Sequence, residues 1–98
     1  MVLLLGNTEP MQNSGFTESP FVFERGGYHY LSVSPYPTAW DATMLYRSPA
    51  PFAFPSVPFT RLRAHAAEWV PSADGKRMYM THAGPGQRGV WVAGVSGI

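Results

Sequence analysis

Apolar and polar side chains trade places along this chain in short runs, each cut off by proline or glycine. Pro20-Phe21-Val22-Phe23-Glu24, Tyr28-His29-Tyr30-Leu31-Ser32-Val33-Ser34 and Thr43-Met44-Leu45-Tyr46-Arg47 are rich in aromatic and β-branched residues. That composition suits a pleated, half-buried strand. Arg25-Gly26-Gly27 joins the first two runs, and glycine supplies the positive φ that a tight hairpin requires. Pro35, Pro37 and Thr38 mark a loop. The stretch from Ser48 to Pro58 holds Pro49, Pro51, Pro55 and Pro58; it reads as extended loop with a short outer strand around Phe52 to Phe54. Further strands are expected at Ala66 to Val70, at Arg77-Met78-Tyr79-Met80-Thr81-His82 and at Val90-Trp91-Val92-Ala93. Turns are expected at Ser72 to Lys76 and at Gly84 to Gly89. Leu62 to Trp69 also admits a helix on composition, but it lacks a capping residue and is bounded by strand-like sequence.

The order apolar strand, glycine turn, aromatic strand, loop, further strand occurs twice. Aligning Tyr30 with Tyr79 gives a period of about 49 residues, close to the ~40–50 residues of a propeller blade. The expected fold is therefore all-β: two four-stranded antiparallel blades of a β-propeller. The domain spans residues 1–98 as a single partial propeller, with blade one at about 16–60 and blade two at about 61–96. Closed propellers use about 4–8 blades. Two blades leave sheet edges and faces uncovered, so either further upstream blades or self-association is expected.

Composition narrows the function. Of 98 residues, 45% are hydrophobic and 13% charged, enough to fold and too few charges for a self-repelling disordered chain. Net charge is +1, which gives no basic face to track a phosphate backbone, so nucleic acid is not an expected partner. There is no cysteine, which excludes disulfides, cysteine zinc sites and thiol catalysis. No apolar run approaches the ~20 residues of a membrane span, and Val2 to Leu5 lacks the basic flank of a signal peptide. Neither a cytoplasmic nor an exported location is singled out.

Several motifs carry candidate chemistry. Gly84-Pro85-Gly86-Gln87-Arg88-Gly89 spells G-x-G-x-x-G, but Val90-Trp91-Val92 follows as a strand where a dinucleotide site needs a helix. A hairpin turn is the expected reading. Pro55-x-x-Pro58 lacks a basic anchor beside it and reads as packed loop rather than a polyproline ligand. His29, His65 and His82 are spread over different strands, so no metal site and no cofactor is expected. His65 either points into a funnel at the propeller axis or packs at a strand end. Among the carboxylates, Asp41 and Asp74 sit in loop and turn contexts. Glu18 and Glu68 lie at the start of apolar strands. Desolvation there disfavours the charged form, as a general acid needs, although solvated side chains are the alternative.

Glu18-Ser19-Pro20-Phe21-Val22-Phe23-Glu24-Arg25-Gly26-Gly27-Tyr28-His29-Tyr30-Leu31 resembles the Glu-x-Pro blade of the five-bladed propeller glycoside hydrolases of families 43 and 32. Tyr46-Arg47-Ser48-Pro49-x-x-Phe52 is similar to their Tyr-Arg-Ser-x-Asp-Pro turn without its Asp-Pro. His65-Ala66-Ala67-Glu68 is similar to the His-Ala-Pro-Glu that opens the following blade, and Thr81-His82-Ala83-Gly84 through Gly89-Val90-Trp91-Val92-Ala93 resembles that blade's end. The resemblance runs from about Gly15 to Val95. It implies hydrolysis of a glycosidic bond in an oligo- or polysaccharide by two carboxylates. Glu18 corresponds to the general acid and Glu68 is a secondary catalytic candidate. His65, His82, Trp69 and Arg88 are candidate substrate-binding residues, and Tyr28, Trp40 and Trp91 are either core or sugar-stacking surfaces. The partner Asp belongs to an earlier blade and has no counterpart in this sequence. The chain alone is thus expected to be inactive, with a non-catalytic carbohydrate-binding or structural β module as the alternative.

Overall fold

The computed structural model describes residues 2–12, 15–35 and 41–98. The expectations that fall on Pro37, Thr38 and Trp40 lie outside them. The structure is all-β, with two antiparallel sheets. The strands are β1 (Thr17–Arg25), β2 (Tyr28–Pro35), β3 (Thr43–Ser48), β4 (Thr60–Leu62), β5 (His65–Pro71), β6 (Met78–Ala83) and β7 (Val90–Val95). The first sheet has the order β1-β2-β3-β4 and the second β5-β6-β7. Gly26 and Gly27, with φ of 60° and 83°, form the two-residue hairpin between β1 and β2. Leu62 to Trp69 is not helical: it ends β4 and begins β5.

Two expectations are corrected. The second sheet has three strands among the described residues, not four. The fourth strand of the first sheet is Thr60–Leu62, not a segment around Phe52 to Phe54. The reason lies in the prolines, which lack the N–H a ladder needs. Between them Phe54 turns inward: its side chain is buried against Leu31, Val33 and Tyr46, and its N–H donates to the Met11 carbonyl at 3.0 Å. Because β4 runs to Leu62, the sheets divide after that residue.

Strand alternation sends β2 into two cores. Leu31 and Val33 face the cluster capped by Phe54. Tyr30 faces the cluster between the sheets, with Leu45, Ala64, Ala67, Trp69, Met78 and Met80. There Phe23 lies between two aromatic rings, stacked on Tyr30 at 4.9 Å and on Trp69 at 4.7 Å between centroids. Ser32 and Ser34, on the same side as Tyr30, form a buried polar seam. The Trp69 indole N–H donates to Ser32 Oγ (2.9 Å), and the Ala66 backbone N–H donates to Ser34 Oγ (2.8 Å). The Thr43 hydroxyl donates to the Ala64 carbonyl (2.7 Å). Each bond joins the first sheet to β5 or to Ala64 just before it, so the seam fixes the relative placement of the sheets as the apolar contacts alone would not.

The repeat extends to an irregularity. The β1–β2 register shifts between Glu18 and Phe21, and the β5–β6 register shifts between His65 and Glu68. Within each bulge one non-glycine residue has positive φ, Ser19 at 54° and Ala66 at 57°. Such a conformation costs about 1 kcal/mol or more and persists only where surrounding bonds impose it. At Ala66 the bond to Ser34 does so.

Candidate functional site

The two bulges open onto one end of the molecule and meet there. Glu18 Oε1 lies 2.7 Å from His65 Nε2. His65 is buried, and about a third of the Glu18 side chain remains exposed. One proton lies between these two atoms, carried either by the imidazole or by the carboxyl.

Beside His65 is a cleft of about 310 Å3. Its lining includes Asp41, Arg63, His65, His82, the Gly84–Gly86 turn and Trp91. His82 Nδ1 is 2.8 Å from the Ala83 carbonyl, which makes Nδ1 the protonated nitrogen and leaves Nε2 an acceptor in the neutral ring. Arg63 and Asp41 approach to 3.8 Å, both well exposed, so their pairing is weak and both remain open to a ligand.

Trp91 is held by the turn beneath it. A Cβ on Gly84 would stand 2.1 Å from the Arg88 carbonyl oxygen and 2.6 Å from the indole nitrogen of Trp91. Only glycine lets the ring lie there. The ring is nevertheless 55% exposed and so presents an apolar surface to the cleft. The G-x-G-x-x-G run is a hairpin turn closed by Gly84 N–H to the Gly89 carbonyl at 3.1 Å, and it leads into β7.

The structure thus brings Glu18 to His65, and His65 to His82. It does not bring the other candidates to the cleft. Trp69 is only 4% exposed, its ring against Phe23 and its N–H on Ser32, so it is a core residue with no face for a substrate. Arg88 is exposed after the turn, and Glu68 is exposed on β5 opposite Thr81; neither lines the cleft. Tyr28 carries the Arg47 guanidinium 4.4 Å from its ring centroid. Among the described residues no three His, Asp or Glu side chains gather as metal ligands.

Neither Asp41 nor Arg63 was singled out as a site residue by the sequence, where Asp41 reads as a loop residue and Arg63 falls in the Leu62 to Trp69 segment that also admits a helix. The signal for them is register: Thr43 pairs with Leu62, so the residues just outside that pair emerge at the same end as the start of β5. Compared with known proteins, the chain matches no family model, no curated protein and no solved structure.

Proposed function

We propose that this chain is two neighbouring blades of a five-bladed, glycoside-hydrolase-type propeller and that the cleft beside His65 binds carbohydrate. The observation that carries the reading is the half-exposed Trp91 ring fixed over Gly84, set against Asp41, Arg63 and His82. A sugar has an apolar C–H face and a rim of hydroxyls, and it needs one flat apolar surface with donors and acceptors around it. Two sheets with the same bulge at the same place support the blade assignment.

In this reading Glu18 is the general acid and another blade supplies the second carboxylate. Neutral oligosaccharides titrated into the protein should shift the Trp91 fluorescence and the His82 and Trp91 amide resonances. The same protein should leave an aryl-glycoside reporter intact. No shift with any neutral glycan at millimolar concentration would remove the carbohydrate reading.

A non-catalytic binding module is the second reading, and one contact favours it. Glu18 is already engaged by His65, which orders the two sheets without any chemistry. If a protein completed with further blades binds glycan but leaves the reporter intact, with Glu18 and with Glu18→Gln alike, the module reading stands.

A further inference from the structure

The two sheets have four edges, and three of them carry features that hinder pairing with another strand. Strand β1 has its bulge at Ser19, then Pro20, Glu24 and Arg25. Strand β4 is three residues long and contains Arg61. Strand β5 has its bulge at Ala66, with Glu68 and Pro71. Strand β7 has none of these. Its six residues, Val-Trp-Val-Ala-Gly-Val, include no charge and no proline, and they pair with β6 in unbroken register from Ala83↔Val90 to Met78↔Val95. Val90 and Val92 are 82% and 66% exposed, and no described residue pairs with the outer edge of β7.

We propose that this edge is the dimer interface of the protein: β7 pairs antiparallel with β7 of a second copy about a two-fold axis at Val92. The proposal does not depend on the carbohydrate reading. The backbone determines the register. Gly84 N–H donates to the Gly89 carbonyl, so by strand alternation Trp91, Ala93 and Val95 direct their backbone groups to β6. Val90, Val92 and Gly94 direct theirs outward. Outward groups can only meet outward groups. Centring on Val92 sets Val92 against its own copy, Val90 against Gly94 and Trp91 against Ala93, a large residue facing a small one on each side. It forms about six new backbone hydrogen bonds and makes one six-stranded sheet across the dimer.

Charge selects the same occupant. A strand without charge meets itself without repulsion, and the antiparallel arrangement sets Arg88 against Ser96, whereas a parallel one would set Arg88 against Arg88. Closed two-fold pairing also uses up the edge, so assembly stops at two.

Sedimentation equilibrium of the full chain tests this, with a dimer of the 10.8 kDa chain expected at about 10–100 µM. Val92→Lys puts two ammonium groups at the axis and should weaken association at least about tenfold while leaving the β-sheet circular dichroism intact. The chain has no cysteine, so a single introduced thiol reports geometry directly. Opposed hydrogen-bonded residues lie about 5.5 Å apart at Cα, within disulfide range. Under mild oxidation Val92→Cys should cross-link far faster than Val57→Cys, which is similarly exposed in the proline-rich loop.

A monomer at about 100 µM overturns the proposal, as does equal cross-linking of the two cysteine variants. So does a dimer that survives Val92→Lys. If that dimer is instead lost on deleting Val2–Leu5, the exposed apolar N-terminal run is the strand donor and β7 self-pairing is wrong.

Discussion

Glu18 and His65 stand at the same place in two successive structural repeats, one residue before the positive-φ residue of each bulge, and they bond to each other at 2.7 Å. The bulge turns each side chain out of its own ladder and toward the other sheet. Ser34 completes the arrangement by accepting the Ala66 N–H. Features that each sheet has separately thus become one inter-sheet junction, and the candidate cleft opens beside it.

The junction predicts a ranking of variants at Glu18. Glu18→Gln keeps a side-chain donor and acceptor within reach of His65 and should be near wild type in urea unfolding. Glu18→Ala removes the partner of a buried imidazole nitrogen and should cost about 1 kcal/mol, the low end of the usual range because the carboxylate is partly solvated. Equal losses for Gln and Ala would mean that packing, not the bond, matters there.

Ser34 should matter more, though its side chain is smaller. It is fully buried, and Ser34→Ala leaves the Ala66 N–H without its acceptor in a conformation that already carries strain. We expect a loss of about 1–3 kcal/mol. Ser72→Ala, in the solvent-facing turn, should cost less than half as much by the same denaturation measurement. A ranking in the opposite order would show that the polar seam does not order the sheets.

Much of this was legible along the chain. Gly26-Gly27 gives the first hairpin, and the alternation around Tyr30 and Tyr79 gives the central strand of each repeat, because turn geometry and two-residue periodicity are local properties. What pairs beyond the hairpins is not local. Phe52 to Phe54 looks like a strand by composition, yet Phe54 caps a core with Tyr46 and with Leu31 and Val33, the last two more than twenty positions earlier, and the prolines forbid a ladder. Trp69 and Trp91 both stand beside valine in apolar runs. Only the packing of the sheets makes Trp69 core and leaves Trp91 at the cleft. Asp41 gained its place through the β3–β4 register, which no motif encodes.

Gly84 and Gly86 give a paired test of the Trp91 platform. Gly84→Ala drives a methyl group into the Arg88 carbonyl and the indole, so the turn must open and the ring must move. We expect about 1–3 kcal/mol of destabilisation and a shift in Trp91 emission. Gly86 has φ of 63° with open space around it, so Gly86→Ala should cost about 1 kcal/mol and leave the emission unchanged. If both variants leave emission and glycan response alike, Trp91 is not positioned by Gly84.

The β5–β6 turn supplies a dependence on pH. Asp74 accepts the Lys76 N–H at 3.0 Å and the Ser72 hydroxyl at 2.7 Å. These bonds, the Lys76 one foremost, favour the carboxylate and hold its carboxyl below the ordinary value of 3.8. A depressed carboxyl binds its proton less readily in the folded chain than in the unfolded one. Its contribution is therefore present above the ordinary value and lost as pH falls below it through the folded value. Asp74→Ala should then lower the melting temperature at about pH 7, by a small amount because the site is fully exposed, and the difference from wild type should close as pH falls toward about 2. The measurement is the melting temperature of both proteins across that range. A difference that stays constant down to acid would assign the effect of the substitution to the turn's backbone rather than to the charge on Asp74.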